Sequence, residues 1–335
     1  MNQNKNILQD NFGREHAYLR ISLIERCNLR CSYCMPEEGV QLSPKSHLMT
    51  YEEIYDIAKT FVKHGVTKIR LTGGEPLIRK DIPIILEKLA TLPVELSITS
   101  NAIIIDKFID ILKATGVKSI NVSLDSLDKE KFKHITRRDQ FEKVYNNILL
   151  LVKEGFKVKL NAVLMKDFND NEIIDFINFT KDLPISVRFI EFMPFDGNKW
   201  DISKMVSYAD VMQYVNSSFS ETQIERLQDA PNDTSKNYKI KGYKGSFAII
   251  SSVTNPFCDS CNRLRLTANG QLKNCLFSAG ESDLLTTLRA GKPIEPIIQK
   301  AVRAKFKIRG GMNTIEKLQE PKLHSKNRSM ITIGG

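Results

Sequence analysis

Three cysteines lie within eight residues near the start of the chain, in the segment Cys27-Asn-Leu-Arg-Cys31-Ser-Tyr-Cys34. Cysteine thiolates hold iron–sulfur clusters, and a 4Fe–4S cluster normally takes four of them. Three thiolates with the spacing C-x3-C-x2-C leave one iron without a protein ligand, and an open iron can bind substrate. The alternatives are a zinc site that lacks one ligand or a disulfide pair with one spare thiol.

A second set of three cysteines lies toward the other end of the chain, at Cys258, Cys261 and Cys275. Its spacing, C-x2-C-x13-C, again supplies three thiolates, and no histidine lies between them to complete a zinc site. This favours a second 4Fe–4S cluster, whose open iron could bind a heteroatom of a substrate, with zinc as the alternative. Arg263 and Arg265 alternate within this set, so in a strand they would share a face suited to phosphate oxygens. An exposed strand with alternating arginines is the other interpretation.

The composition bounds the class of protein. The chain has 335 residues, of which 41% are hydrophobic, and no apolar run approaches the length of a membrane span. Residues 1–10 are polar and lack the apolar centre of a signal peptide, so we expect a cytoplasmic protein. Six cysteines in two groups favour metal sites over a secreted disulfide scaffold. The net charge of +10 favours an anionic partner, but the sequence has no nucleic-acid-binding motif.

Alternating strand and helix patterns position these residues. Strands are predicted at 18–24, 66–72, 94–100, 118–124, 157–164 and 186–192, with helices between them. This alternation predicts a parallel sheet, and right-handed βα units in series curl toward a barrel. The predicted fold is therefore α/β, an incomplete (βα)6 parallel barrel over residues 1–195. Residues 196–335 are predicted to form a smaller C-terminal region that closes the barrel mouth.

Five of the predicted strands have one apolar and one polar face. The polar faces carry Arg20 and Ser22, Lys68, Arg70 and Thr72, Ser97, Thr99 and Asn101, Asn121, Ser123 and Asp125, and Lys157, Lys159 and Asn161. Parallel sheets are usually buried on both sides, so these polar faces are expected to line a barrel lumen that holds a polar ligand. An exposed sheet face is the alternative. In the sixth strand Ile190 and Phe192 fall on the same side as Arg188, which suggests a bulge.

The turn Gly73-Gly74-Glu75-Pro76 follows the second strand, at the end where βα enzymes place their sites. By itself it is often only a turn. Together with C-x3-C-x2-C and an aromatic residue before the third cysteine, it resembles the GGEP motif of the radical S-adenosylmethionine (radical SAM) superfamily. The resemblance implies that the open iron chelates SAM and that the reduced cluster cleaves it to methionine and a 5′-deoxyadenosyl radical. It also implies SAM contacts from Tyr33, Gly74, Ser123 and Met193.

Over essentially its whole length the chain resembles one radical SAM family, the GTP 3′,8-cyclases of molybdenum cofactor biosynthesis. The two cysteine triads carry the resemblance, together with the segments Cys261-Asn-Arg-Leu-Arg-Leu266 and Val187-Arg-Phe-Ile-Glu-Phe-Met-Pro194 and the terminal Gly334-Gly335. It implies that the radical takes a hydrogen from C3′ of GTP and that the ribose radical attacks C8 of guanine. The product would be 3′,8-cyclo-7,8-dihydroguanosine 5′-triphosphate, formed with the base on the open iron of the second cluster.

The same resemblance assigns site residues and partners as expectations. Arg20 and the Gly334–Gly335 tail are expected to act in catalysis, with a disordered chain end as the alternative for the tail. The implied cofactors are two 4Fe–4S clusters and SAM. The implied partners are an electron donor such as flavodoxin or ferredoxin, a downstream cyclic pyranopterin monophosphate synthase and a second copy of the chain in a homodimer. Contacts with GTP are implied for Arg20, Arg70, Thr99, Lys159, Arg188, Arg263 and Arg265.

One position departs from the family pattern. Relatives usually have Thr-Asn-Gly where this chain has Ser100-Asn101-Ala102, so a positive φ at Ala102 would be more strained than at glycine.

Two other functions stay open. A peptide- or RNA-modifying radical SAM protein would share the N-terminal loop but lack the Arg263/Arg265 pair and the Gly-Gly end. A non-enzymatic zinc or nucleic-acid-binding protein would contain zinc in place of iron and sulfide.

Overall fold

Six parallel strands form the centre of the sheet. The computed structural model describes residues 6–36, 38–320, 323 and 327–334. The strands are β1 (Tyr18–Ser22), β2 (Lys68–Thr72), β3 (Glu95–Ser100), β4 (Ser119–Ser123), β5 (Lys157–Leu164) and β6 (Ser186–Glu191). Each overlaps a strand predicted from the sequence, and neighbours along the chain pair in parallel. The predicted parallel α/β fold is confirmed.

Helices follow these strands and bury apolar residues against the sheet. They are α1 (Tyr51–Lys63), α2 (Ile82–Ala90), α3 (Ile109–Ala114), α4 (Lys129–Thr136), α5 (Phe141–Lys153), α6 (Ile173–Asn178) and α7 (Tyr208–Ser218). Helix α1 begins with a capping box, in which Thr50 and Glu53 each accept a hydrogen bond from the other's backbone N–H. Ile54, Ile57 and Phe61 follow at helical spacing and are completely buried.

The strands after residue 195 extend both edges of the same sheet. They are β7 (Ile224–Arg226), β8 (Lys236–Ile240), β9 (Ser246–Ile250), β10 (Arg263–Leu266), β11 (Gln271–Lys273) and β12 (Ser282–Asp283). β9 pairs in parallel with β6, and β10 pairs in parallel with β1. The strand order in the described residues is β12-β11-β10-β1-β2-β3-β4-β5-β6-β9-β8-β7. The division near residue 195 stays a prediction, since the later strands belong to the sheet of the earlier ones.

Short helices follow the last strand in the described part of the chain. They are α8 (Leu285–Arg289), α9 (Glu295–Arg303), α10 (Ile315–Gln319) and α11 (Met330–Ile333). A small second apolar cluster holds this end of the chain together and contains Val253, Phe277, Met312 and Leu318. Within the described ranges, no helix is both long and apolar enough to cross a bilayer.

The register of the sheet aligns the polar residues in rows. Arg20 of β1 lies between Arg265 of β10 and Arg70 of β2. The alternate residues, such as Leu19 and Ile21, are fully buried on the opposite face. The predicted separation of an apolar from a polar face is therefore present.

The bulge suggested for the sixth strand is wrong. β6 pairs with β5 without interruption, from Ser186 opposite Lys159 to Glu191 opposite Leu164. Ile190 faces the same cavity as Arg188. The side chains of this strand therefore alternate regularly. The sequence pattern hid the alternation, because the strand places one apolar residue on its otherwise polar face.

Gly245 allows β9 to pack beside β6. Its N–H donates to the carbonyl oxygen of Thr180 at 2.9 Å. A Cβ added at this position would lie 2.2 Å from the carbonyl oxygen of Ile185 and 2.7 Å from that of Leu183. Both neighbours are backbone atoms, so relief of the contact requires a shift of the strand itself.

We expect Gly245→Ala to lower the free energy of unfolding by about 2–3 kcal/mol, because β9 must move away from β6. Gly280→Ala is the matched control, since its Cβ would meet only Ser278 Oγ at 3.4 Å. The control should change stability by less than about 0.5 kcal/mol. Chemical denaturation measures both variants, and equal stabilities would show that the contact at Gly245 relaxes freely.

Candidate active site

The N-terminal cysteine triad lines a cavity at the carboxyl ends of the central strands. Tyr33, Gly74 and Ser123, which the resemblance assigns to SAM, line it as well. Met193 lies instead on a neighbouring cavity. The lining of the first cavity includes Cys27, Cys31, Cys34, Thr72, Gly73, Thr99, Asn101, Met330 and Ile331.

The thiols of this first triad fit a metal group. All three are free. The N–H of Leu29 donates to Cys27 Sγ at 3.4 Å. Burial raises the pKa of Cys27 to about 11, and burial, the neighbouring thiols and the carboxylate of Asp125 raise the pKa of Cys31 as well. Such thiols keep their protons until a metal displaces them.

Neither cysteine triad converges on a site for a single metal ion. In the described part of the chain, no three His, Cys, Asp or Glu side chains converge in a way that could hold a single metal ion. Structural zinc requires four ligands that converge tetrahedrally on one point. A 4Fe–4S cluster takes each thiolate at a different iron, so three thiols that line one cavity could hold it without meeting at a single point.

The Gly-Gly turn fits closely under the cysteine loop. Gly74 N–H donates to the carbonyl oxygen of Ile24 at 2.8 Å, and Glu75 N–H donates to that of Arg26 at 2.9 Å. A Cβ on Gly74 would lie 2.2 Å from the Arg26 oxygen and 3.1 Å from Cys27 Cβ. Glycine is therefore required here by backbone packing.

Glu75 ties this turn to the end of β3. Its buried carboxylate accepts hydrogen bonds from the N–H of Leu77 at 3.0 Å, from Ser100 Oγ at 2.9 Å and from the N–H of Asn101 at 2.7 Å. Burial raises the pKa of Glu75 to about 7, although these donors act in the opposite direction. The carboxylate thus joins two of the strand ends that surround the cavity.

Ala102 adopts the left-handed conformation in which relatives use glycine. Its φ is 62°. Its N–H donates to Ser100 Oγ at 2.9 Å, and its carbonyl oxygen accepts from Asn147 Nδ2 of α5 at 2.6 Å. The departure from the family pattern therefore leaves the backbone path intact, because side chains on both sides hold it.

Tyr33 is fixed by a carboxylate that sequence reasoning placed only on the polar face. Its hydroxyl donates to Asp125 Oδ2 at 2.7 Å, and Asp125 Oδ1 accepts from the N–H of Val163 at 2.8 Å. Burial raises the pKa of Asp125 to about 6, while both hydrogen bonds lower it. The cysteine loop is thereby attached to β4 and β5.

A second cavity adjoins the first and contains the C-terminal triad. Cys258, Cys261 and Cys275 line it together with the predicted GTP residues Arg20, Arg70, Thr99, Arg188, Arg263 and Arg265. Lys159 does not line this cavity, but the charges of Arg188 and Arg70, which do, lower its pKa. Thr99 and Met330 are the described residues that line both cavities.

Several guanidinium nitrogens of the second cavity lack hydrogen-bond partners. Arg20 Nε, Arg188 Nε and Arg263 Nη2 are buried without a hydrogen-bond partner. Burial and the nearby Arg188, Arg70 and Lys68 lower the pKa of Lys159 to about 8. Guanidinium groups stay charged in proteins, and a buried unpaired charge is costly. The cavity is therefore built for an anionic ligand.

Tyr18 is a cavity neighbour that strand parity could have identified, since it shares a face with Arg20. The guanidinium carbons of Arg20 and Arg70 lie 5.6 and 5.4 Å from its ring centroid. Cation–π contact of this kind stabilises partly desolvated arginines. The ring therefore helps β1 and β2 to hold two positive charges side by side.

Cations also surround the second triad. Arg309 N–H donates to Cys258 Sγ at 3.4 Å, and Lys305 Nζ lies 3.6 Å from Cys261 Sγ. Although burial raises the pKa of Cys261, Arg263 and Lys305 lower it to about 6. Arg14 Nη1 donates to the carbonyl oxygen of Cys258 at 2.7 Å. Sequence reasoning missed Arg14, Lys305 and Arg309, because none of them lies in the cysteine motif.

The described part of the Gly-Gly tail lies on the polar face of the sheet. Arg265 Nη1 donates to the carbonyl oxygen of Gly334 at 2.7 Å. Gly334 has φ 86°, and a Cβ there would lie 2.6 Å from Thr72 Oγ1. Gly335 lies outside the described residues. The catalytic role of the tail stays a prediction.

Comparisons with known proteins agree with this arrangement. The Radical SAM superfamily model matches residues 21–180, and the Molybdenum Cofactor Synthesis C model matches residues 185–310. In its fold the chain is similar to Streptococcus suis SuiB bound to S-adenosylmethionine. The TM-score is 0.60 at 18% identity, over 87% of this chain and 68% of that one.

Curated relatives are much closer in sequence. The mitochondrial GTP 3′,8-cyclase of Arabidopsis thaliana is 48% identical over 98% of this chain and 84% of its own length. The GTP 3′,8-cyclase of Listeria monocytogenes is 42% identical over 88% of this chain and 90% of its own length. Human molybdenum cofactor biosynthesis protein 1 is 46% identical over 97% of this chain, which spans 51% of that protein. The chain belongs to the radical SAM superfamily and, within it, to the family of the GTP 3′,8-cyclases.

Proposed function

We propose that this chain is a radical SAM lyase that converts GTP to 3′,8-cyclo-7,8-dihydroguanosine 5′-triphosphate, the first step of molybdenum cofactor biosynthesis. The adjacency of the two cavities carries this proposal. One contains three free thiols, and the other contains arginines with buried nitrogens that have no hydrogen-bond partner. Their common boundary at Thr99 and Met330 would bring a nucleotide bound at the arginines next to SAM bound at the first triad.

The first cavity would hold SAM at an iron–sulfur cluster. Cys27, Cys31 and Cys34 would bind a 4Fe–4S cluster, which when reduced supplies the electron that cleaves SAM to methionine and a 5′-deoxyadenosyl radical. The backbone of Gly74 and the hydroxyl of Ser123 would hold the amino and carboxylate groups of SAM. Met193 would reach the adenine from the side of the second cavity.

The second cavity would hold GTP. Fixed cations bind the triphosphate without reorganisation, and they fix the ribose so that C3′ faces the first cavity. Cys258, Cys261 and Cys275 would hold a second 4Fe–4S cluster next to the guanine. The cationic and polar groups proposed to contact GTP are Arg20, Arg70, Thr99, Lys159, Arg188, Arg263 and Arg265.

The proposal also covers the C-terminal tail, the electron donor, the downstream enzyme and the oligomeric state. The Gly334–Gly335 tail would act beside Arg20 at the reacting ribose. A flavodoxin- or ferredoxin-type donor would supply electrons, and a cyclic pyranopterin monophosphate synthase would take up the product. The enzyme would work in the cytoplasm as a homodimer.

Replacement of one cysteine in each triad separates the two clusters. After anaerobic reconstitution, Cys27→Ser and Cys258→Ser should each lose about four irons per chain. Cys27→Ser should form no 5′-deoxyadenosine from SAM and dithionite, whereas Cys258→Ser should still cleave SAM but form no cyclised nucleotide. Iron analysis and mass spectrometry measure these outcomes. Full 5′-deoxyadenosine yield from Cys27→Ser, or zinc in place of iron, would refute the cluster assignment.

Removal of one buried arginine tests the anion site. Arg188→Ala should weaken GTP binding by about 10- to 100-fold, because a charge-assisted hydrogen bond contributes about 1.5–3 kcal/mol. Arg289→Ala, which removes an exposed arginine paired with Glu53, is the matched control. Equilibrium dialysis under anaerobic conditions gives both affinities. If the two variants bind GTP equally well, Arg188 does not contact the nucleotide.

The lowered pKa of Lys159 predicts a pH dependence. GTP affinity should fall as the pH rises from about 7 to 9, because Lys159 loses its charge around its pKa of about 8, while phosphate groups are already ionised. The bound anion favours protonated lysine, so the loss appears as the pH rises. Lys159→Arg keeps its charge throughout this range and should flatten the profile. Identical profiles for the two proteins would contradict a role for Lys159 at the triphosphate.

A further inference from the structure

Arginines hold both ends of the C-terminal segment 327–334. At its far end, Arg265 binds the carbonyl oxygen of Gly334. At its near end, Arg328 Nη2 donates to Glu281 Oε2 at 2.6 Å, and Arg328 Nη1 donates to Asn269 Oδ1 at 3.0 Å. Arg328 Nη1 also lies 3.7 Å from Glu25 Oε1. Helix α11 lies between these two attachment points.

The partners of Arg328 come from different parts of the site. Glu25 precedes the first cysteine triad, and its carboxylate also accepts from the N–H and Oγ of Ser43, at 2.6 and 2.9 Å. Glu281 belongs to the C-terminal region and also pairs with the buried Lys273 at 3.4 Å. The side chains of Glu25, Glu281 and Arg328 are 3%, 18% and 25% exposed. A partly buried bridge of this kind is screened less by solvent than a surface ion pair.

The position of α11 determines what separates the two cavities. Met330 follows Arg328 by two residues and lines both cavities, and Ile331 lines the first. A radical formed in the first cavity can reach a nucleotide in the second only across this boundary. Since hydrogen transfer needs contact between the reacting atoms, a small displacement of the boundary strongly reduces it.

We infer that Arg328 is a positioning residue. It holds α11 in place so that Met330 keeps the two cavities aligned, and this alignment couples SAM cleavage to hydrogen transfer from the nucleotide. The inference rests on the proposed function. Neither carboxylate partner of Arg328 is among the residues proposed to contact SAM or GTP. Its loss should therefore affect the yield of product per SAM cleaved more than SAM cleavage itself.

The first test compares Arg328→Gln with Arg289→Gln. Arg289 is a suitable control, because it also joins the C-terminal region to the barrel, through Glu53 and the carbonyl oxygen of Ser46 at 2.6 and 2.8 Å, and does not line either cavity. In the reconstituted enzyme, the ratio of 5′-deoxyadenosine to cyclised nucleotide should rise at least about threefold in Arg328→Gln. It should keep the wild-type value in Arg289→Gln, and Arg328→Lys should restore part of the coupling.

The second test measures how firmly the segment 327–334 is held, and it uses protein that contains no iron–sulfur clusters. Thr332 N–H donates to Ser329 O and Gly334 N–H to Met330 O, both at 3.1 Å. Hydrogen exchange of the peptide that contains these amides should become about tenfold faster in Arg328→Gln and stay unchanged in Arg289→Gln. Met330→Ala should raise the ratio of 5′-deoxyadenosine to cyclised nucleotide and leave exchange unchanged.

The outcomes separate this inference from the proposed function. An unchanged exchange rate in Arg328→Gln overturns the anchoring role, and faster exchange with an unchanged product ratio overturns the coupling role. If the wild-type enzyme cleaves SAM but returns GTP unchanged, the proposed function is wrong, and the exchange experiment still decides whether Arg328 holds the segment.

Discussion

The structure depends on a set of crowded, largely desolvated positive charges that the nearby carboxylates only partly offset. Arg20, Arg70 and Arg265 stand side by side on three neighbouring strands, and Arg188 lies across the same cavity. Their mutual repulsion and desolvation oppose folding. Strand pairing can hold them together because the opposite face of the same strands is fully buried and apolar. An anionic ligand then gains the stabilisation that the folded protein lacks.

This constraint explains why the sheet includes strands from the far end of the chain. β1 lies between β2 and β10, so Arg20 has an arginine on each side only because β10 extends the sheet. The same pairing carries the C-terminal triad to the cavity, since Cys261 precedes β10 and Cys275 follows β11. A strand swap at this edge would remove both the phosphate cations and the second set of thiols. The cavity is therefore a property of the whole sheet and not of either half.

The sequence was sufficient to predict most of the sheet and half of the site, because both rest on local periodicity. Alternation within strands placed Arg20, Arg70, Thr99 and Lys159 on one face without knowledge of their neighbours. It failed in β6, where Ile190 interrupts the polar face. It also could not find Arg14, Lys305, Arg309 or Arg328. These residues reach the site from loops and helix ends, where no period exists, and only the tertiary fold brings them to the groups that they contact.

The cations of the second cavity also act on its thiols. Arg263 lines this cavity and lowers the pKa of Cys261, so one guanidinium would serve both a thiolate and the triphosphate of the proposed function. Around the first triad the opposite holds, because burial, the neighbouring thiols and Asp125 raise the pKa of Cys31. In the proposed function, thiolates formed at the second triad would reduce the field that a triphosphate experiences. Metal loading at the second triad and nucleotide binding would then be linked through shared arginines, and the other cations of the cavity would keep it attractive to an anion when the thiolates are present.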